Sequence, residues 1–156
     1  MILITGASGN VGRPLADHLV AAGEPVRVGV RRPEAGRAPE GAEAARLDLE
    51  NPSTFAEAFV GCDRVFLMRP PAVAKTKSTL NPFVAAARKA GVRHLVFLSV
   101  LGADAKAWVP HRAVEQALEA GPKDWTILRP GFFAQNFEQG LPRRHRRPLP
   151  DLRARR

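Results

Sequence analysis

A short apolar run that breaks into evenly spaced glycines opens this chain, Met1-Ile-Leu-Ile-Thr5 and then Gly6-Ala-Ser-Gly9-Asn-Val-Gly12. The pattern predicts a strand, a tight turn and a helix: Val11, Leu15 and Leu19 recur at helical spacing, Pro14 falls in the first turn, and Gly23 ends the helix after Ala21-Ala22. Such an arrangement builds a dinucleotide phosphate site. Glycine at the strand end permits the turn, a second lets backbone N–H groups approach a pyrophosphate, and a third lets the helix pack on the strand. The helix start then faces the phosphates with free donors and its positive dipole end. Gly6, Ser8, Gly9, Asn10, Val11 and Gly12 are the candidate cradle. The first glycine gap is one residue longer than in the common fingerprint, and the alternative reading is a glycine-rich turn that holds no ligand.

Further β-branched, apolar runs are predicted as strands at 26–30, 44–47, 64–68, 94–100 and 125–128, after the first at 2–5. Helical patterns lie between them, at 10–22, 53–60, 80–90 and 110–120, and the last three stop at Gly61, Gly91 and Gly121. Near-continuous runs such as Val65-Phe-Leu-Met68 and Leu95-Val-Phe-Leu98 suit a parallel sheet covered on both faces. Right-handed crossovers between six such strands give an α/β doubly wound, three-layer Rossmann sheet of order 3-2-1-4-5-6. Its cleft opens over the carboxyl ends of the strands beside the first.

With 156 residues and 45% hydrophobic content, one α/β domain over residues 1–140 fits, and a separate substrate domain does not. The single Cys62 excludes an internal disulfide and suits a reducing cytoplasm. No apolar run reaches membrane-spanning length, and a strand opens the chain where a signal peptide would stand. The formal charge of +9 is unevenly spread: residues 1–140 carry 17 Lys and Arg against 14 Asp and Glu, whereas residues 141–156 carry 7 Arg against one Asp. That tail lacks strand or helix periodicity and is expected to be disordered. Nucleic-acid binding through it, without aromatic residues to stack bases, would be unspecific and salt-sensitive.

Strand ends supply the remaining candidates. Where an NAD site places an acidic residue after the second strand, this chain has Arg31-Arg32. Guanidinium forks suit a 2′-phosphate, which favours NADP(H) over NAD(H); the alternative is a solvated surface pair near Glu34. Asp48 closes the third strand, where its carboxylate would accept from an adenine amino group or instead cap the helix starting near Pro52. Arg69-Pro70-Pro71 follows the fourth strand beside the cleft, as a ligand contact or a stiff turn. Trp108, Phe132 and Phe133 would form an apolar lid over the nicotinamide or pack in the core or rim. His18 and His94 are read as structural, and no Cys, His or acidic cluster has metal-ligand spacing.

The glycine loop, Arg31-Arg32, Leu47-Asp-Leu49, His94-Leu-Val-Phe-Leu-Ser-Val-Leu-Gly102, His111-x-x-x-Glu115 and Thr126-Ile-Leu-Arg-Pro-Gly-Phe-Phe-x-x-Asn136, in this order, resemble the NmrA-like family of atypical short-chain dehydrogenases/reductases. The resemblance spans about residues 1–140. It implies an NAD(P)-binding Rossmann domain whose members include NAD(P)H-dependent quinone and azo-type reductases, and others that only sense the coenzyme's redox state. Ordinary short-chain reductases use a serine after the fifth strand and a Tyr-x-x-x-Lys pair. Here Ser99 matches the serine, His111 and Glu115 stand where the pair is expected, and the chain contains no tyrosine. Imidazole titrates near neutral pH and a carboxylate one turn away would orient it or raise its pKa, making His111 a proton donor. The alternative is an ordinary surface pair, with Arg112 competing for Glu115. Family members continue past the last motif with elements that close the substrate pocket. The arginine-rich tail in that place suggests a shortened chain that keeps the nucleotide half, with exposed apolar surface favouring a homodimer or poor solubility. The expected function is an NADPH-dependent oxidoreductase of small acceptors such as quinones; the alternative is a non-catalytic NADP(H) sensor with a protein partner.

Overall fold

A computed structural model describes residues 1–133 except Arg37, Ala72, Ala74 and Lys123. The expectations for the 141–156 tail, for a shortened carboxyl-terminal half and for Asn136 fall outside the described residues. Six strands form one all-parallel sheet in the order β3-β2-β1-β4-β5-β6, as expected for a doubly wound fold. They are β1 Ile2–Thr5, β2 Val26–Val30, β3 Glu43–Arg46, β4 Arg64–Met68, β5 His94–Leu98 and β6 Trp125–Leu128. The helices are α1 Gly12–Ala21, α2 Phe55–Phe59, α3 Thr76–Lys89 and α4 Pro110–Glu119, with short 3₁₀ turns at Pro33–Ala35 and Pro52–Thr54.

Strand alternation divides the core in two. Leu3, Val65, Leu67, Leu95 and Phe97 point to the face covered by α2, α3 and α4, where Phe83 meets Phe55 edge-on and Phe59 at a tilt. Ile2, Ile4, Val26, Val28 and Phe66 point to the opposite face, where Ala16, Leu15 and Leu19 of α1 cover them. β1 is buried along its whole length between β2 and β4, so every side chain on either face is desolvated, which favours the apolar residues of Ile2 to Ile4. At its end the one polar residue, Thr5, is satisfied: its hydroxyl accepts the Met68 N–H at 2.9 Å.

The main departure from the sequence pattern is α3, which begins at Thr76 rather than at residue 80. The helix runs through Pro82, whose missing N–H leaves the Ser78 carbonyl without the usual helical donor. Burial of Thr76, Thr79, Leu80, Phe83, Val84 and Ala87 on one face outweighs that loss. The Thr76 hydroxyl also donates to the Pro110 carbonyl at 2.8 Å, tying the start of α3 to that of α4.

Candidate coenzyme cleft

The order reverses between β1 and its neighbours β2 and β4, and the loop that leaves β1 there is shaped by its glycines. Gly6 has φ +67°, a left-handed conformation that side chains disfavour. Its carbonyl accepts the Gly9 N–H at 3.0 Å, closing the turn. Gly12 packs directly on that carbonyl, so a Cβ at residue 12 would overlap the Gly6 backbone. Gly9 differs: a Cβ there would meet only the Gly6 oxygen, at 3.4 Å. Its bareness serves approach from outside more than packing within. Behind the loop, α1 starts without a side-chain cap, since Val11 at the N-cap has no acceptor and the first turn holds no acidic residue. The Arg13 N–H donates to the Gly9 carbonyl at 3.1 Å and the Leu15 N–H to the Val11 carbonyl at 3.1 Å, so the helix start is closed by backbone alone, an arrangement that would suit a diphosphate over the glycine turn.

At the end of β2, Arg31 and Arg32 are exposed, and among the described residues neither guanidinium forms an ion pair, with Glu34 or any other carboxylate. Asp48 is half-buried; its Oδ1 accepts the Glu50 N–H at 3.0 Å and its own N–H donates to the Thr54 hydroxyl at 3.0 Å. The cap of the 3₁₀ turn at Pro52 is Asn51, whose Oδ1 accepts the Ser53 N–H at 3.2 Å, so the capping alternative for Asp48 does not hold.

Arg69 turns back on its own loop. Its Nη1 donates to the carbonyls of Val73 at 2.6 Å, Pro71 at 3.4 Å and Pro70 at 3.5 Å, while Nε donates to His111 Nε2 at 3.4 Å. The residue thus stiffens the cleft wall after β4 rather than reaching outward. Nε2 of His111 is the acceptor in that contact, and Nδ1 is buried without a partner among the described residues.

Ser99, directly after β5, and Glu115, on α4, come together, but Glu115 does not orient His111. The Ser99 hydroxyl donates to Glu115 Oε1 at 2.6 Å. Arg129, directly after β6, forks onto the same carboxylate, Nε to Oε1 at 2.9 Å and Nη2 to Oε2 at 3.2 Å. Arg112 adds a bond to Oε2 at 3.1 Å and another to Glu119 at 3.0 Å, and Arg129 also faces Asp104 at 3.5 Å. Glu115 is completely buried, so a surface pair does not describe it, and its charge acts on His111 only by raising its pKa, with no hydrogen bond between them among the described residues. Burial alone would push its carboxyl up, but hydrogen bonds from Arg129, then Ser99 and Arg112, outweigh this and hold it below the ordinary value. Arg129 is the first residue after β6, and its partnership with Glu115 depends on β5 and β6 lying side by side, which no local pattern shows.

His111 stands apart, its ring 6.1 Å from that of Phe97. Burial, assisted by the Arg69 charge and opposed by Glu115, pushes its pKa below the ordinary value, so it is neutral at pH 7. The unfolded chain takes up this proton near pH 6.5 while the folded chain resists it, so acidification through that range costs stability. His111→Asn should shrink the drop in urea midpoint between pH 7.5 and pH 5.5; an unchanged drop would place the acid sensitivity elsewhere.

Trp108, Phe132 and Phe133 are all exposed, on the segments that follow β5 and β6, with Lys106 Nζ 5.8 Å from the Trp108 ring. Among the described residues no group of His, Cys, Asp and Glu could hold a metal ion, and no helix is long and apolar enough to cross a membrane.

A family model described as NAD(P)H-binding matches residues 6–150. A (4-alkanoyl-5-oxo-2,5-dihydrofuran-3-yl)methyl phosphate reductase of Streptomyces griseus is 38% identical over 142 residues, covering 87% of this chain and 49% of the relative. An NAD(P)H azoreductase of Xenophilus azovorans is 32% identical over 149 residues, covering 88% of this chain and 50% of the relative. The crystal structure of a Citrobacter sp. triphenylmethane reductase complexed with NADP(H) superposes with a TM-score of 0.77 at 27% identity, over 87% of this chain and 51% of that one. The chain spans about half the length of the curated relatives it matches.

Proposed function

The chain belongs to the NAD(P)H-binding family, and on that premise we propose that it binds NADPH in the cleft beside β1 and serves the reduction of small electrophilic acceptors such as quinones. The observation that carries this reading is the uncapped start of α1 behind the Gly6, Gly9 and Gly12 turn. Backbone N–H groups of Gly6 to Gly12 would hold the pyrophosphate, Arg31 and Arg32 the 2′-phosphate, and Asp48 the adenine amino group. When bound, the coenzyme supplies hydride.

The acceptor class follows from how the chain's own protons are held. The Ser99 hydroxyl is engaged as a hydrogen-bond donor to an ionised Glu115, His111 is kept neutral, and the sequence has no tyrosine. No strong general acid is poised at the positions where short-chain reductases place one. That favours acceptors whose reduced form is stable before protonation, as a hydroquinone anion is, over simple ketones, which would yield a strongly basic alkoxide. The names of the relatives, two reductases and an azoreductase among them, support an oxidoreductase.

Titration with NADPH, NADH and their oxidised forms tests the coenzyme half. Arg31→Ala should weaken NADPH binding by about tenfold, the loss of one charge-assisted phosphate contact, and leave NADH nearly unchanged. A quinone panel monitored by NADPH oxidation tests the reaction. Absence of saturable coenzyme binding would defeat the reading, whereas binding that separates NADP from NADPH without turnover would favour a redox sensor.

A further inference from the structure

The side chain that walls the phosphate turn from the β4 side is Met68. A Cβ placed on Gly6 would overlap its Sδ and Cγ, so the thioether already lies in van der Waals contact with the first glycine. Met68 is half-buried, packed with the α1-side cluster that includes Phe66, Val96 and Leu98. We propose that Met68 is a peroxide-sensitive modification site, and that its conversion to the sulfoxide closes the phosphate turn to NADPH; this rests on the coenzyme reading above.

In that conversion the thioether sulfur takes one oxygen atom from hydrogen peroxide and gives up two electrons. The O–O bond breaks, an S–O bond forms, and the other oxygen leaves as water. The product is longer, polar and a strong acceptor, where the thioether packs against apolar side chains and the first glycine of the turn. Neither side can yield without cost. Met68 is pinned through its N–H to the Thr5 hydroxyl, and Gly6 is held from the other side by the Gly9 N–H on its carbonyl and by Gly12 packed against it. Any shift of Gly6 carries the Gly9 and Gly12 backbone with it, and those are the groups the pyrophosphate would meet. The other sulfur atoms lie elsewhere: Cys62 is buried in the cluster on the opposite face of the sheet, and Met1, the other of two methionines, packs against that same cluster.

The test treats the full chain with hydrogen peroxide, removes the oxidant, maps the added oxygen by peptide mass, and titrates NADPH before and after. Expected are one oxygen on Met68, an NADPH affinity lowered at least about tenfold, as overpacking of a tight contact produces, and recovery with methionine sulfoxide reductases. In Met68→Leu the ratio of affinities before and after treatment should stay near unity. An oxidised Met68 with unchanged affinity overturns the proposal, as does a Met68 that stays unoxidised while Met1 reacts, or an equal loss in Met68→Leu. If the untreated chain shows no saturable NADPH binding, the coenzyme reading itself fails and this proposal falls with it.

Discussion

Glu115→Ala is expected to cost the fold about 3 kcal/mol, the usual consequence of removing one member of a buried ion pair. The carboxylate is the common acceptor of three donors from three elements, Ser99 after β5, Arg129 after β6 and Arg112 on α4. Without it two guanidinium groups face each other across a cavity and the Ser99 hydroxyl has no acceptor. Glu115→Gln should restore little, because one edge of its amide is itself a donor turned toward arginine. Replacing Glu115 and Arg129 together by leucine should cost less than the two single losses combined, since no lone charge is then stranded on that side. The effect is also linked to pH. The unfolded chain protonates this carboxyl near the ordinary glutamate value, the folded chain only lower, so the stabilisation is present above the ordinary value and fades as pH falls through the folded one. Urea unfolding of the parent chain, these variants and the single Glu115→Leu and Arg129→Leu proteins measures all of this, and a Glu115→Ala midpoint equal to that of the parent chain would show that the cluster contributes nothing net.

Gly12→Ala should abolish coenzyme binding, weakening it by about a hundredfold or more, with a stability loss of roughly 1–3 kcal/mol. The added methyl would stand inside the Gly6 carbonyl and against the Ala7 nitrogen. These are backbone atoms that cannot rotate aside, so the turn must spread or α1 must withdraw. Gly9→Ala separates packing from approach. Its methyl touches only the Gly6 oxygen at 3.4 Å, so the melting temperature should hold while NADPH affinity drops. Calorimetric titration beside thermal unfolding checks both; a Gly12→Ala protein that binds NADPH normally would remove the turn from the site.

The sheet was legible because its strands are legible one at a time. Ile2–Thr5, Val26–Val30, Arg64–Met68 and Trp125–Leu128 stand where the apolar runs place them, and parallel order follows from handed crossovers. The first turn of α3 was not legible, because Thr76 and Thr79 carry no apolar signal and their burial is supplied only by the packed fold. The cleft was legible as a set of strand ends, but the partners within it were not. Glu115 and Arg112 are neighbours on a helix, whereas Ser99 and Arg129 reach the same carboxylate from separate strands, and no periodicity joins them. Arg69 illustrates a different gap: ligand contact and stiff turn read alike from sequence, and only the fold shows its guanidinium turned onto the carbonyls of its own proline-rich loop.

β1 is the middle of the sheet, flanked on both sides and without exposed residues, and the turn that follows it is braced by Met68 from one side and Gly12 from the other. The conformational entropy of arranging that turn is therefore lost once, when the chain folds, and not again each time a ligand arrives. A preorganised seat of this kind would let a flexible dinucleotide spend its binding energy on its own ordering.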